Sequence, residues 1–455
     1  MARYQYPNPL DLLFFAADEA ARRAGLPAGN IHILCELEGQ LDLTRFARAV
    51  AGLHRILPAT AARLGFVHAT GHPYWRLDVP PPDPQQVIQI HEVNPPTRAQ
   101  WLTLFERLFA RRIQARRLPA VRFHIFRGLP HGDLLVMRWP HALMDARGGG
   151  TVIEELNRLY EEDAEPDALR TLGDEDRDDF ARLLPQEPLA EKFRRLREAL
   201  HTGQLHKARY AHLAPGPIPE DVGALRCVFR HLGPDDSAQI RDNALTFCGI
   251  ARFGDYLRAC GFRALHETMP TPPPPDALYT TLNVIDNRRR RQANPICRNL
   301  TTSLPLAISA GLADDRKQVA DAIRDQMGNH LKRDTIQQTA GVLKLLTRLP
   351  TAWLAAAIKP RLEAGRLPTP RLGVAPAPSL PLGLMAPFLR PLPTFCGSTV
   401  CNYYGCRPAV PDTGFAIDVN VTPDHINISG VCYEGRVPVA TLSQLLDRFI
   451  TALLE

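Results

Sequence analysis

The main feature of the hydrophobic pattern is a long apolar run that ends in a turn. Residues 134–139 are Leu-Leu-Val-Met-Arg-Trp, which is typical of a buried strand, and Pro140 and His141 end the run. Glycines occupy positions 148–150, and apolar residues recur at helical spacing from 151 to 160. The pattern therefore predicts a strand, a turn that carries His141, and a helix.

The same periodicities predict alternating strands and helices in both halves of the chain. Predicted strands cover about 31–37, 121–126, 224–232, 278–285, 414–421 and 426–433, and predicted helices cover about 10–23, 43–57, 98–112, 314–331 and 439–454. This order indicates an α/β (α+β) protein.

Between the two halves, strand signals stop and acidic runs and prolines take their place. Two acidic stretches lie at 161–167 and 173–179, and prolines stand at 215, 217 and 219. We interpret this region as a connection between two lobes, with its charged runs on solvated faces. The predicted division is a first lobe at 1–165, a crossover linker at 166–219 and a second lobe at 220–455.

The spacing His-x-x-x-Asp links His141 to Asp145, four residues later. It also occurs at 231–235 and 330–334, and about one match is expected by chance, so the spacing alone has little weight. Only His141 has an apolar strand before it and a glycine cluster after it. That context suits a general base presented at a turn, although a histidine whose hydrogen bonds are satisfied within the turn is the plainer alternative.

Strand, His-x-x-x-Asp, glycine and helix together resemble the active-site motif of the chloramphenicol-acetyltransferase-like acyltransferases. That superfamily includes condensation domains of peptide synthetases and plant-type, wax-ester and polyketide-associated acyltransferases. Pro140 stands where many members have a first histidine, and Ala146 stands where glycine follows the aspartate. If position 146 needs a positive φ, alanine is costly there, and Gly148 would relieve the strain.

The resemblance covers nearly the whole chain in element order, and it implies a fold and a set of site residues. The implied fold is two acyltransferase lobes, each a mixed sheet flanked by helices, with a central tunnel between them. His141 would be the catalytic base. Arg288, after the strand at 278–285, would pair with Asp145 and hold the turn, and Asn299 matches a family asparagine. Ser398, Thr399 and Asn402 are candidates to contact substrate or the oxyanion.

The implied activity is transfer of an acyl group from a thioester to an alcohol or amine acceptor, in secondary-metabolite or lipid biosynthesis. The donor would be acyl-CoA or an acyl group on a carrier protein, and no metal or other cofactor is expected. Two alternatives stay open. The enzyme could depend strictly on a carrier protein, or the chain could be a catalytically silent member that acts as a binding partner.

The amino-acid composition and net charge limit the classes of molecule that the protein is expected to bind. The 455 residues are 45% hydrophobic and 22% charged, which is typical of a soluble globular protein. A net charge of +6 suits an anionic donor such as CoA or an acidic carrier protein, but it is too small for a nucleic-acid binder. The arginine run 288–291 could be a nucleic-acid or targeting patch, but it is isolated and has no interleaved aromatic residues.

The remaining sequence features concern compartment and oligomeric state. No apolar run has the length of a transmembrane helix, and the N-terminal residues do not resemble a secretion signal. Nine cysteines, an odd number, favour reduced thiols and a cytoplasmic location. Cys396, Cys401 and Cys406 lack the spacing and nearby histidine of a zinc site. We expect a cytoplasmic monomer.

Overall fold

The structure alternates strands and helices in both halves, as the hydrophobic pattern predicts. In the computed structural model of the protein, the described residues are 4–27, 29–68, 70–80, 82–163, 209–216, 218–219, 221–249, 252–288, 297–332, 344, 349–364, 378–385, 392–422 and 424–455. Most of the predicted linker, including 166–208, lies outside them.

The strands are β1 (Tyr4–Gln5), β2 (Asn30–Leu37), β3 (Arg63–Phe66), β4 (Pro73–Arg76), β5 (Ile88–Glu92), β6 (Arg122–Leu129), β7 (Gly132–Pro140), β8 (Leu225–Leu232), β9 (Leu278–Asp286), β10 (Thr301–Ser309), β11 (Leu382–Met385), β12 (Thr394–Phe395), β13 (Ser398–Cys406), β14 (Phe415–Val421) and β15 (Ile426–Tyr433). The helices are α1 (Pro9–Arg23), α2 (Leu43–Ile56), α3 (Pro84–Val87), α4 (Arg98–Ala110), α5 (Ala146–Glu162), α6 (Pro234–Cys248), α7 (Phe253–Thr268), α8 (Arg316–Lys332), α9 (Thr351–Ala364) and α10 (Val439–Leu454).

The first sheet has six strands, in the order β12-β13-β2-β7-β6-β5. β7 lies in its interior and pairs antiparallel with β2 on one side and with β6 on the other. Side chains on both faces of β7 are buried from Asp133 to Trp139. This explains why the run before His141 is continuously apolar rather than alternating: neither face of the strand meets water.

The second half forms a separate four-stranded sheet and a long antiparallel pair. The sheet order is β11-β14-β15-β8, in which β11 runs parallel to β14. β9 and β10 pair along their whole lengths, from Leu278 opposite Ser309 to Asp286 opposite Thr301. Arg288 therefore stands just beyond the end of β9, as the sequence order predicts. A small sheet, β1-β4-β3, completes the N-terminal half.

Residues 394–406 belong to the second half of the chain, but they form two strands of the first sheet. β13 pairs antiparallel with β2, with Cys406 opposite His32 and Val400 opposite Leu37, and β12 pairs with β13. The predicted second lobe, 220–455, thus supplies two strands to the sheet of the first lobe. The sequence of β13 does not identify its partner strand, because a strand's side-chain pattern shows which residues share a face and not which strand pairs beside it.

Two helices begin next to the His141 turn, and each has a clear start signal. Asn8 caps α1: its side chain accepts hydrogen bonds from Leu10 N and Asp11 N, both at 2.9 Å, and Asp11 accepts in return from Asn8 N at 2.8 Å. Pro9, with its fixed φ, occupies the first helical position. Asp145 caps α5, whose buried face packs against α2.

In the part of the chain that the structure describes, no helix combines the length and the apolar character needed to cross a membrane. All nine cysteines are free, and Cys401 is the exposed one. Burial raises the pKa of the Cys35 and Cys297 thiols to about 12, so both stay protonated at neutral pH.

Candidate active site

His141 lies on a tight turn between β7 and α5. Its backbone N–H donates to Gly29 O at 3.0 Å, and Leu143 N closes the turn by donating to Pro140 O at 2.9 Å. The indole of Trp139 is buried and donates to Met144 O at 2.9 Å. Hydrogen bonds therefore hold the backbone on both sides of His141, and they fix the position from which its side chain extends.

The His141 imidazole is half-buried and stacks on a phenylalanine of α1. Its ring centroid lies 3.7 Å from that of Phe14, at an interplanar angle of 19°. Nδ1 is buried and has no hydrogen-bond partner among the described residues. Burial lowers the pKa of His141 to about 4, and its own carbonyl and Asp145 oppose this more weakly. The ring is consequently neutral at neutral pH.

Asp145 is buried and points into the protein rather than toward open space. Oδ1 accepts from Gly148 N at 2.8 Å and Oδ2 accepts from Leu300 N at 2.9 Å. Arg288 donates to both oxygens, through Nη1 at 3.1 Å and Nη2 at 2.8 Å, so the ion pair expected from the sequence is present. These contacts hold the start of α5 against the segment 297–300.

Arg288 stays positively charged although it is buried, because two acidic side chains lie beside it. Burial alone would lower its pKa, but Asp145 and Asp286 raise the pKa above its ordinary value. Its Nη1 also donates to Asp286 at 2.9 Å, and Nη2 donates to Arg298 O at 2.6 Å. A bidentate guanidinium of this kind fixes both the position and the orientation of the carboxylate.

Two of the glycines after Asp145, Gly148 and Gly149, are required by close packing. A Cβ on Gly148 would lie 2.9 Å from Met144 Cβ and 3.4 Å from Arg298 N, and a Cβ on Gly149 would lie 2.4 Å from the Trp139 ring. Ala146 is the first residue of α5 and is not among the residues with positive φ. Alanine at position 146 is therefore unstrained.

Asn299, which matches a family asparagine, connects the His141 turn to α1. Its Nδ2 donates to His141 O and to Asp11 Oδ1, both at 2.7 Å. Asp11 is 1% exposed, and burial raises its pKa to about 7, despite the opposing effect of Arg298. Sequence reasoning missed Asp11 and Phe14. The Asn-Pro-x-Asp capping pattern locates the start of α1, but nothing local shows that this helix faces residue 141.

Ser398, Thr399 and Asn402 are not near His141. Pro140 pairs with Asn30 on β2, whereas Asn402 pairs with Glu36, six residues further along that strand, or about 20 Å at the rise of an extended chain. Ser398 and Thr399 lie further still, where Cys396 N donates to Asn157, the twelfth residue of α5. The register of β13 along β2 therefore separates these three residues from the imidazole of His141. A role for them in contacting the oxyanion or the substrate stays a prediction.

Within the described ranges, no group of three or more histidine, cysteine or acidic side chains could hold a metal ion.

The residues that the structure brings together at the candidate site are His141, Asp145, Arg288 and Asn299, with Phe14 and Asp11 from α1. Their arrangement offers one neutral imidazole on a rigid turn, supported by a buried ion pair.

No protein-family model and no curated protein sequence matches the chain. Solved structures do match it. The first condensation domain of the calcium-dependent antibiotic synthetase, bound to a substrate analogue, aligns over 100% of this chain and 96% of its own, with a TM-score of 0.66 and 16% identity. The trichothecene 15-O-acetyltransferase of Fusarium sporotrichioides aligns over 100% and 95%, with a TM-score of 0.68 and 13% identity. Polyketide synthase associated protein 5 of Mycobacterium tuberculosis aligns over 96% of each chain, with a TM-score of 0.60 and 15% identity.

The chain has the condensation-domain fold. This confirms the predicted mixed α and β architecture of two acyltransferase-like lobes. The central tunnel and the boundaries at 165 and 219 stay predictions. At these identities the likeness concerns the condensation-domain fold alone, so the chemistry must be argued from the residues of this chain.

Proposed function

We propose that the protein is an acyltransferase that moves an acyl group from a thioester to an alcohol or amine, with His141 as general base. The observation that carries the proposal is a neutral imidazole on the β7–α5 turn, whose helical end is held by the ion pair of Asp145 and Arg288. The fold, which the chain has in common with condensation domains and an acetyltransferase, supports it.

The step follows from the acid–base chemistry of the ring. Because Nδ1 is enclosed, Nε2 would take the proton from the acceptor O–H or N–H as its oxygen or nitrogen attacks the thioester carbonyl carbon. A C–O or C–N bond forms and gives a tetrahedral intermediate. Collapse of the intermediate breaks the C–S bond, and the imidazolium returns the proton to the leaving thiolate. The products are an ester or amide and a free thiol.

The low pKa of His141 suits the second half of this step. An imidazole with a pKa of about 4 is almost wholly in its base form at neutral pH. Once protonated, it is a stronger acid than an ordinary imidazolium, so it returns the proton readily to a thiolate. Asp145 has no free role in the transfer, because Gly148, Leu300 and Arg288 already occupy its oxygens.

The donor is proposed to be acyl-CoA or an acyl group on the phosphopantetheine arm of a carrier protein. Both are anionic, which a net charge of +6 would attract. Strict dependence on a carrier protein is a second candidate, favoured by the likeness to condensation domains of synthetases. Secondary-metabolite or lipid biosynthesis is the proposed setting.

The test is product analysis by mass spectrometry with two donor arms. One arm supplies pooled acyl-CoAs and the other supplies acyl-loaded carrier proteins, each with a mixture of alcohols and amines. We expect a new ester or amide, released together with one equivalent of thiol, from the wild type but not from His141→Ala. Product in the carrier arm alone would select the second candidate. Absence of product in both arms, with the protein folded, would contradict the proposal and favour the catalytically silent alternative.

A further inference from the structure

The N-terminal helix α1 reaches the His141 turn at two points, through the ring of Phe14 and through the carboxylate of Asp11. Phe14 is half-buried and stacks on the imidazole at 3.7 Å. The next residue, Phe15, points elsewhere and lies against Trp75, at 5.6 Å between ring centroids. The two adjacent phenylalanine rings therefore have different contacts: Phe14 packs on the candidate base, and Phe15 packs in the interior of the first lobe.

The second contact runs through a shared amide. Nδ2 of Asn299, which is fully buried, donates to the carboxylate of Asp11 in α1 and to the carbonyl of His141. Asn8 closes the network from the other side, since its Nδ2 donates to Asn299 O at 2.7 Å. The backbone of His141 is therefore bonded, through one side chain, to the first turn of a helix about 130 residues earlier.

The same segment, 297–300, also reaches Asp145. Leu300 N donates to Asp145 Oδ2, one residue after the asparagine that holds His141 O. The turn is consequently clamped from two directions: Arg288 and Asp145 fix the start of α5, and Asp11 with Asn299 fixes the carbonyl of the histidine itself.

We propose that α1 is the positioning element of the His141 imidazole: Phe14 sets the plane of the ring and covers one face, and Asp11 holds the residue's backbone through Asn299. Both are positioning residues, because they act through His141. The effect on turnover rests on the proposed function, but the placement of the ring does not. With one face covered by Phe14 and Nδ1 enclosed, a guest nucleophile would be directed to Nε2.

Phe14→Ala is the direct test. It opens one face of the ring to water, so the pKa of His141 should rise from about 4 toward the ordinary value, by about one unit or more. The charged groups that act on the ring, Asp145 and Arg407, are unchanged by the substitution. We expect kcat to fall about 10- to 100-fold with KM little changed, because a displacement of 1 Å in the reacting geometry costs about that much.

Two measurements separate this inference from the proposed function. Titration of the His141 ring by NMR reads the pKa directly and needs no substrate, while the pH dependence of kcat/KM reads the same group in turnover. Phe14→Tyr keeps the stacked ring and should restore wild-type values. Phe15→Ala, which removes a phenylalanine of the same helix, should lower the melting temperature without moving the pKa of His141.

An unchanged pKa of His141 in Phe14→Ala by NMR would overturn the inference, whether or not turnover is detected. If Phe14→Ala does not fold, Phe14→Met replaces it, since a flexible side chain fills the space without a ring. A wild-type kcat and kcat/KM in Phe14→Met would then overturn the inference in the same way. Turnover absent from the wild type, with the expected NMR shift in Phe14→Ala, would refute the proposed function alone.

Asp11→Ala tests the backbone half of the clamp. It leaves one N–H of Asn299 without its acceptor, so the carbonyl of His141 is held less firmly and kcat should fall, while Asp11→Asn keeps an acceptor oxygen and should lose less. Glu19→Ala, which removes a surface ion pair with Arg22 from the same helix, is the control. A lower melting temperature with wild-type kcat in Asp11→Ala would reduce Asp11 to a helix cap and overturn this half.

Discussion

At the scale of single residues, the candidate site divides into the proposed base, His141, and the groups that hold it. The Asp145 carboxylate accepts four hydrogen bonds, from Gly148 N, Leu300 N and both terminal nitrogens of Arg288. A carboxylate has about four acceptor positions, so nothing is left for substrate. His141 is the opposite case: its ring is neutral, and because Nδ1 is enclosed the proposed proton acceptor is Nε2. We therefore expect the aspartate of the motif to have a structural role.

Asp145→Asn should consequently destabilise the fold as well as lower turnover. The substitution leaves the guanidinium of Arg288, 10% exposed, without its bidentate partner. Removing one member of a buried pair costs about 3–5 kcal/mol, and the contact of Arg288 with Asp286 places the expected loss at the lower end. Urea denaturation measures it. Asp286→Asn, which removes a 42% exposed partner of the same arginine, is the control and should cost about 1 kcal/mol or less. Equal stability of Asp145→Asn and wild type would count against the structural role.

The pH dependence of kcat/KM should show the depressed pKa of His141. The ring must be neutral to accept a proton, so activity is kept above its pKa and lost as pH falls through about 4. An ordinary histidine would lose activity already near pH 6.5. A step near pH 7 would report Asp11 instead, whose pKa burial raises to about 7, and Asp11→Asn separates the two groups. An acid limb at 6.5 in both proteins would show that the ring is not buried in the working enzyme.

At the scale of elements, the junction of β7 and α5 decides the position of the histidine. The sequence predicts this junction well, because an apolar strand run ends at a proline, and glycines and a run at helical spacing follow it. It does not predict why the glycines are there. Trp139 turns back to bond Met144 O, and its ring occupies the space that a side chain at 149 would need. Such tertiary packing leaves no local signal.

Gly149→Ala should therefore be destabilising even though alanine favours helices. Its Cβ would lie 2.4 Å from the Trp139 ring, which has to move, and such overpacking costs about 1–3 kcal/mol. Gly328→Ala, in α8, meets nothing within 4 Å and should be neutral or stabilising by up to about 1 kcal/mol. Melting temperatures of the two variants test this contrast. A stabilised Gly149→Ala would contradict the packing argument.

At the scale of the whole molecule, the site is assembled from three distant parts of the chain: the start of α1, the β7–α5 turn, and the segments at 288 and 297–300. Motif likeness to a known superfamily identified the second part and paired Arg288 with Asp145. The contribution of α1 and the crossing of β13 into the first sheet could not be predicted, because contacts between residues hundreds of positions apart depend on topology rather than on local pattern. The separation of Ser398, Thr399 and Asn402 from His141 has the same cause.

The most direct test of the central claim is the turnover number of His141→Ala beside the wild type, measured with the donor and acceptor that product analysis identifies. Melting temperatures of both proteins establish that the variant is folded. If the imidazole is the general base, kcat should fall about 10²- to 10⁴-fold, the usual contribution of such a group. A folded His141→Ala protein with wild-type turnover would contradict the account.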